Sequence, residues 1–91
     1  MRFAFHIKVF GTVQGVGFRY YTKLKADELK VIGNVQNMSD GSVEINVSGS
    51  EDIVYSFLDW CHKGPASSFV SKLEYQKIDI DFPSNEFLIL R

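Results

Sequence analysis

The stretch GTVQGVGFR, residues 11–19, combines two glycines and an arginine at a spacing that could bind an anion. Gly15 and Gly17 bracket Val16, and glycine permits the backbone angles at which neighbouring amide groups point inward. Arg19 follows in the first turn of a predicted helix, where a cation is unfavourable because the helix dipole is already positive there. A bound phosphate would offset both charges. A plain strand-to-helix corner with a surface arginine explains these residues equally well, because short motifs often occur by chance.

Hydrophobic periodicity predicts the elements that must position this stretch. Residues 2–10 alternate between apolar and polar side chains, which predicts a half-buried strand. Residues 18–30 carry apolar side chains at helical spacing, which predicts a helix. Residues 31–48 predict two strands joined by a turn at Asp40 and Gly41, a dipeptide typical of hairpins.

A second helix is predicted after the hairpin, because the apolar residues there share one broad face. These residues are Ile53, Val54, Phe57, Leu58, Trp60 and Cys61. A capping box of Ser48 and Glu51, or direct capping by Ser50, would begin this helix. Gly64 and Pro65 would end it.

The last part of the chain predicts one long strand and one short strand. The long strand runs through residues 73–82, and its apolar register slips by one residue. That slip predicts a β-bulge near Gln76 and Lys77. After a turn at residues 83–85, the stretch FLIL, residues 87–90, supplies a short final strand.

Element order and chain length predict one small α+β domain over residues 1–91. The order β-α-β-β-α-β plus a short strand is the ferredoxin-like split βαβ plan. In that plan two helices pack on one face of an antiparallel sheet. A chain of 91 residues with 45% hydrophobic residues can bury one core but has no room for a second.

Composition and charge exclude several classes of protein. The net charge of −1 leaves no basic surplus for a nucleic-acid backbone. The single cysteine rules out an intramolecular disulfide and fits a reducing compartment. Charged residues interrupt the first ten positions, so neither a signal peptide nor a membrane span is predicted. We therefore expect a cytoplasmic monomer that binds neither nucleic acid nor membrane.

The other side chains that could do chemistry have structural interpretations. His6 lies on the polar side of the first strand and His62 at the end of the second helix, and neither has a second ligand nearby in sequence. Cys61 is predicted to be a buried small apolar residue. Asp79 and Asp81 alternate with apolar residues, which predicts the solvated face of a strand. We therefore expect no metal and no cofactor.

Two sequence blocks together resemble the acylphosphatase family. The block VFGTVQGVGFR, residues 9–19, resembles the first signature of that family, and GNVQNMSDGSVEI, residues 33–45, resembles its second. The resemblance covers nearly the whole chain and implies an acylphosphatase-like fold and site. It implies that Arg19 binds phosphate and that Asn37 orients the attacking water. The phosphate-binding loop implied by the resemblance consists of Gln14, Gly15, Val16, Gly17 and Phe18, together with Arg19.

Three segments depart from the family pattern. Asn34 stands where the family often has an aromatic residue or a threonine. Residues 66–69 lack the second proline and the basic residue common there, and the final FLILR lacks the usual aromatic finish. These departures bear on stability and substrate preference, because none includes the loop, Arg19 or Asn37.

The side chains in the two blocks favour one class of reaction by themselves. Arg19 stays protonated, and the amide of Asn37 takes no proton at neutral pH. The only carboxylates in the blocks, Asp40 and Glu44, fall at the turn and on the polar side of a strand. A site without a general acid suits a leaving group that needs no proton, such as the carboxylate of an acyl phosphate. The implied function is metal-independent hydrolysis of acyl phosphates to carboxylate and inorganic phosphate.

Three other functions share parts of this pattern. An RNA-binding domain has the same element order but displays aromatic residues on its third strand, and the stretch SVEINVS, residues 42–48, has none. A regulatory module would bind an anion on the same loop without turning it over, and it would not need Asn37. A domain detached from a larger carbamoyl-phosphate-handling maturation protein is disfavoured, because the chain begins with Met1 and lacks zinc-ligand cysteines.

Overall fold

A five-stranded sheet covered by two helices forms the fold. The computed structural model describes residues 3–82 and 84–91. The strands are β1 (Phe3–Thr12), β2 (Ile32–Asn37), β3 (Val43–Gly49), β4 (Phe69–Ile78) and β5 (Phe87–Ile89), and the helices are α1 (Phe18–Leu29) and α2 (Glu51–Lys63). The strand order in the sheet is β4-β1-β3-β2-β5, so the predicted ferredoxin-like plan is confirmed. Arg2 and Pro83, which the predictions place in the first strand and the last turn, lie outside the described residues.

The central strands bury one face through the alternation that the sequence predicts. In β1, Ile7 and Val9 are fully buried, whereas His6 and Lys8 are half-buried on the opposite face. β3 runs antiparallel to β1 and places the buried Ile45 opposite Ile7. Each such fully buried aliphatic side chain contributes about 1.5–3 kcal/mol of transfer free energy. The alternation therefore fixes which face of the sheet becomes the core.

Both helices pack on that same buried face. α1 buries Phe18, Thr22 and Ala26 at four-residue spacing, and the Thr22 hydroxyl donates a 2.7 Å hydrogen bond to the Phe18 carbonyl, which satisfies it in the core. From α2, the ring of Phe57 lies 5.9 Å from that of Phe87 in β5, centroid to centroid. Neither helix of the described chain has the length and apolar character needed to cross a bilayer.

The β-bulge lies at the opposite end of β4 from the predicted one. Pairing with β1 is regular at Gln76 and Lys77, so the prediction of a bulge there is wrong. The register shifts instead between Phe10 and Gly11 of β1, which leaves Ser71 of β4 unopposed. Gly11 has φ 126°, and a Cβ atom there would collide with the backbone oxygen of Phe69 in β4. The bulge therefore requires glycine at position 11.

β4 also ends earlier than the sequence predicts. The strand stops at Ile78, and Ile80 beyond it is 53% exposed. Asp79 and Asp81 are exposed, but they follow the strand and do not form its solvated face. Of the apolar residues that suggested a shifted register, Ile80 and Phe82 lie beyond the strand.

The capping box predicted at the start of α2 does not form. Ser48 lies inside β3, and its buried hydroxyl has no hydrogen-bond partner among the described residues. Ser50 occupies the N-cap position, but its side chain makes no capping hydrogen bond. Glu51 and Asp52 in the first turn complement the positive end of the helix dipole. The helix ends at Gly64, as predicted.

The short last strand adds to the antiparallel sheet in the parallel direction. β5 pairs with β2, and the Leu90 N–H donates a 2.8 Å hydrogen bond to the Val35 carbonyl. The chain after β5 therefore runs beside the end of β2. This arrangement brings the last residue of the sequence, Arg91, next to Asn37.

The turn between β2 and β3 holds Asp40 in contacts that favour its charged form. The hydroxyl and the N–H of Ser42 both donate to Asp40 Oδ1, the N–H at 3.0 Å. The Lys8 ammonium lies 3.1 Å from Oδ2. These contacts, led by the Ser42 hydroxyl, lower the pKa of Asp40 to about 2.

We expect Asp40→Asn to lower Tm at neutral pH and to approach the wild type in acid. A carboxyl whose pKa is depressed by folding stabilises above its ordinary pKa, and this contribution is lost as the pH falls through the folded pKa. The Tm difference, followed by circular dichroism, should therefore shrink between about pH 4 and pH 2. Ser42→Ala should raise the Asp40 pKa in an NMR titration. A Tm difference that persists unchanged at pH 2 would contradict the role given to Asp40.

Candidate active site

The connection between β1 and α1 has the backbone geometry of an anion-binding turn. Gly15 has φ 76° and Gly17 has φ 79°, a left-handed region that favours glycine. Gly17 is also the N-cap of α1, and its carbonyl accepts the Tyr21 N–H at 3.0 Å. The first amide groups of a helix have no intrahelical acceptor, so this corner presents unpaired donors at the positive end of α1.

A cavity of about 230 Å³ opens at this corner. Its lining residues are Val13, Gly15, Gly17, Phe18, Arg19, Tyr20, Asn37 and Ile89. Since one water takes about 30 Å³ of liquid volume, the space can hold a phosphoryl group and a water together. Arg19 and Asn37, which lie 18 positions apart in the sequence, therefore line one cavity.

Asn37 lines this cavity and carries a buried hydrogen-bond acceptor. Its backbone N–H donates a 2.6 Å hydrogen bond to the backbone oxygen of Arg91, which fixes the end of β2. Its side-chain Oδ1 is buried and has no hydrogen-bond partner among residues 3–82 and 84–91. A buried polar atom without a partner costs about 1–3 kcal/mol. A water or a ligand donor at Oδ1 would remove that cost.

Arg19 brings a cation into the same cavity. It is the second residue of α1 and is half-buried. It forms no ion pair with a carboxylate in the described part of the chain. The first turn of α1 contains no acidic residue either. The positive charge at this helix end is therefore not balanced by a neighbouring side chain.

A second, larger cavity of about 580 Å³ adjoins the first and shares two of its residues. Arg19 and Asn37 line both cavities, and Met38, Ser39 and Arg91 complete the second. Sequence reasoning missed Arg91. Its position depends on the parallel pairing of β5 with β2. The sequence of a three-residue strand does not predict its partner or its direction.

The structure places the other predicted loop residues in different surroundings. Gly15, Gly17 and Phe18 line the first cavity, although the Phe18 side chain belongs to the core at 1% exposure. Val16 does not line it, and its carbonyl accepts a 2.7 Å hydrogen bond from the Ser67 hydroxyl. Gln14 does not line it either. Phosphate binding by the amides of these residues stays a prediction.

The side chain of Gln14 ties the loop to the β2–β3 turn. Its Nε2 donates to the carbonyls of Met38 and Ser42, each at 2.8 Å. Both donor hydrogens of the amide are thereby used. Because Met38 follows Asn37 directly, these two bonds set the position of the loop relative to Asn37.

We expect Gln14→Leu to lower the free energy of unfolding by about 1–3 kcal/mol, because two carbonyls lose a donor. We also expect kcat to fall several-fold, since the loop and Asn37 lose their common support. Urea denaturation and steady-state kinetics measure the two effects. Gln36→Leu is the matched control, because Gln36 donates its 2.9 Å hydrogen bond to Glu44 on the half-exposed sheet face. Equal effects of both variants would contradict the supporting role of Gln14.

The remaining titratable candidates lie away from the two cavities. His6 Nε2 is 3.0 Å from Glu44 Oε2, and the hydrogen bond from His6 is the main cause that lowers the pKa of Glu44. Cys61 is fully buried in the core, and this burial raises the pKa of its thiol. His62 is exposed at the end of α2. Within the described residues, no group of three or more His, Cys, Asp or Glu side chains is arranged to hold a metal ion.

Comparison with known proteins finds similar sequences and similar structures. The sequence model of the family described as Acylphosphatase matches residues 5–89. An acylphosphatase of Aeromonas hydrophila subsp. hydrophila is 44% identical over 73 residues, covering 80% of this chain and 81% of the relative. The crystal structure of acylphosphatase from Bacillus subtilis superposes with a TM-score of 0.92 at 35% identity, with 100% of both chains covered. The crystal structure of full-length HypF in its phosphate- and nucleotide-bound form matches with a TM-score of 0.90 at 27% identity, over 100% of this chain and 12% of HypF.

Proposed function

This chain belongs to the acylphosphatase family and is an acylphosphatase, a hydrolase, and from that premise we propose how its residues act. Arg19 and the amides of the loop over residues 14–18 hold the phosphoryl group of an acyl phosphate. Asn37 holds the water that attacks the phosphorus. The observation that carries the proposal is the buried, unpartnered Oδ1 of Asn37, a residue that lines one cavity together with Arg19.

The binding step uses positive charge that the fold leaves unbalanced. A guanidinium group offers a planar fork of donors that matches two phosphoryl oxygens. The positive φ angles of Gly15 and Gly17 favour amide groups that converge on an anion. Together they would stabilise the charge that spreads over the phosphoryl oxygens in the transition state.

The chemical step needs a positioned water and no acid catalyst. Asn37 Oδ1 accepts a hydrogen bond from the water, which attacks phosphorus as the bond to the bridging oxygen breaks. The electron pair of that bond leaves with the carboxylate, and the proton of the water passes to a phosphoryl oxygen. The residues lining the two cavities include no Asp, Glu, His, Cys or Lys. A site lined without these proton donors suits a leaving group that departs without a proton.

A regulatory module that binds an anion without turnover is the alternative that the sequence alone leaves open. It would use Arg19 and the loop glycines in the same way. Asn37 distinguishes the two, because a site that only binds an anion has no need of an amide that orients a water. An attacking water offers the donor that this buried oxygen lacks.

Hydrolysis of benzoyl phosphate by the purified protein with a chelator present tests the proposal. p-Nitrophenyl phosphate serves as the ester control, because its leaving group profits from an acid. We expect turnover of the anhydride alone, unaffected by chelator. A folded protein that binds inorganic phosphate but does not turn over benzoyl phosphate would favour the regulatory module. Residues 1–91 would form one catalytic domain that acts as a monomer. Size-exclusion chromatography measures the oligomeric state.

A further inference from the structure

The loop over residues 14–18 has a second anchor, a serine that the proposed chemistry does not use. The Ser67 hydroxyl donates a 2.7 Å hydrogen bond to the Val16 carbonyl. Ser67 lines a cavity of about 510 Å³ between α1 and the turn that follows α2. It lines neither of the two cavities that Arg19 borders. Ser67 therefore contacts the loop from outside the candidate active site.

This hydrogen bond sets the direction of one amide group in the loop. The Val16 carbonyl and the Gly17 N–H belong to one trans peptide unit, which is planar, so the two groups point in opposite directions. Because the carbonyl points to Ser67, the Gly17 N–H points away from Ser67. Gly17 lines the cavity of about 230 Å³, whereas Val16 and Ser67 do not. The N–H of this N-cap residue has no acceptor within α1, so this orientation offers it to an anion in that cavity.

The backbone of Gly17 does not choose this orientation by itself. Its φ is 79°, and rotation of the Val16–Gly17 peptide unit by about 180° would give a negative φ that glycine adopts as readily. The rotated unit would direct the Val16 carbonyl, a hydrogen-bond acceptor, towards the place of the anion. The hydrogen bond from Ser67 is lost in that orientation. It therefore favours the orientation that presents the N–H.

The turn that carries Ser67 is fixed relative to the loop. The N–H and the hydroxyl of Ser68 both donate to the Pro65 carbonyl, at 2.9 Å and 2.7 Å. Gly64 packs so closely on Phe18 that a Cβ atom at position 64 would stand 2.7 Å from Cε2 of the Phe18 ring. Phe18 is the first residue of α1 and belongs to the loop. The Ser67 hydroxyl is therefore held in place by the turn and does not depend on a flexible segment.

We propose that Ser67 is a positioning residue for phosphate binding, because its hydroxyl holds the Val16–Gly17 peptide unit with the N–H towards the phosphoryl group. This inference rests on the proposed function, in which the loop amides bind that group. Only molecules with the N–H in this direction bind phosphate well, so the apparent Kd rises as their fraction falls. One hydrogen bond from an exposed serine shifts such an equilibrium by about twofold to tenfold.

Binding of inorganic phosphate to the full chain, measured by isothermal titration calorimetry, tests the inference. We expect Ser67→Ala to raise Kd by about twofold to tenfold, and Ser67→Thr, which keeps the hydroxyl, to stay near the wild type. Ser68→Ala is the matched control, because it also removes a 2.7 Å hydrogen bond from a serine to a carbonyl, but that carbonyl belongs to the same turn. Both alanine variants should lower the free energy of unfolding in urea to a similar extent. Ser68→Ala should leave the Kd of phosphate unchanged.

The amide proton resonance of Gly17 tests the same point at the atom itself. We expect phosphate to shift this resonance downfield in the wild type, because the N–H then donates a charge-assisted hydrogen bond. A Gly17 resonance that phosphate does not shift would overturn the inference. An unchanged Kd in Ser67→Ala would also overturn it, and so would equal increases of Kd in Ser67→Ala and Ser68→Ala, which would indicate a general loosening of the turn.

Turnover separates this inference from the proposed function. If benzoyl phosphate is not hydrolysed but the Kd of phosphate depends on the Ser67 hydroxyl, the catalytic proposal fails and the positioning role in binding stands. If benzoyl phosphate is hydrolysed and phosphate binding is the same in the wild type and Ser67→Ala, the catalytic proposal stands and the role of Ser67 fails.

Discussion

Replacing Arg19 by lysine is expected to lower kcat/KM for benzoyl phosphate by about 100-fold or more, although the positive charge is kept. An ammonium group cannot place two parallel donors on two phosphoryl oxygens as a guanidinium does. The ammonium group is also carried by a flexible side chain, so it would hold the phosphoryl oxygens of the transition state less firmly. Steady-state kinetics with benzoyl phosphate measure the effect, and inhibition by inorganic phosphate reports on binding.

The stability of the Arg19 variants sharpens this prediction. Arg19 is in the first turn of α1 with no acidic residue beside it, which opposes the helix dipole. Arg19→Ala should therefore leave Tm unchanged or raise it while activity is lost, and added guanidinium ion should restore part of that activity. An Arg19→Lys enzyme that keeps kcat/KM within a few-fold of the wild type would show that charge alone suffices.

The central strands were predictable because burial of one sheet face makes apolar and polar residues alternate along the sequence. The alternation in β1 and β3 follows directly from the buried positions of Ile7 and Ile45. The prediction of a bulge at Gln76 and Lys77 was wrong because β4 is an edge strand. Most of its side chains are exposed, so the spacing of its apolar residues says little about strand pairing. Its real bulge is caused by a glycine in the partner strand, Gly11. That cause acts between strands and leaves no pattern inside β4.

The capping prediction failed because local sequence does not show where a strand stops. Ser48 and Glu51 have the spacing of a capping box, but β3 continues to Gly49 and keeps Ser48 in the sheet. The helix therefore begins at Glu51, and Ser50 is left as the N-cap residue. Tertiary pairing overrides the local motif at this point.

The candidate site was predictable only in part, for a similar reason. Arg19 and the loop glycines are neighbours in sequence, and the match of two sequence blocks added Asn37; the structure brings them to one cavity. The side-chain donors of Gln14 fix the loop to the β2–β3 turn, a contact that the sequence does not indicate. Arg91 was not found, because its place depends on the direction in which β5 joins β2. Contacts between distant segments decide both cases.

Asn37→Ala is the other change from which we expect a large effect. Loss of the buried Oδ1 leaves the attacking water without its orienting acceptor, and misplacement of a reacting group by about 1 Å can cost about 100-fold in rate. We therefore expect kcat to fall by about that factor or more. The inhibition constant of inorganic phosphate should stay within about threefold of the wild type, because the donors that hold the phosphoryl group remain.

Asn34→Ala is the matched control for Asn37→Ala, because the same residue type is removed from the same strand. The Oδ1 of Asn34 accepts a 3.1 Å hydrogen bond from Asn46 Nδ2, whereas that of Asn37 has no partner in the described chain. Asn34→Ala should therefore lower the free energy of unfolding slightly and leave kcat unchanged. Asn37→Ala should leave the free energy of unfolding within about 1 kcal/mol of the wild type, because its Oδ1 accepts no hydrogen bond from the described chain. Near-normal kcat in Asn37→Ala would exclude the water-positioning role, and a parallel loss of phosphate binding would make Asn37 a binding residue instead.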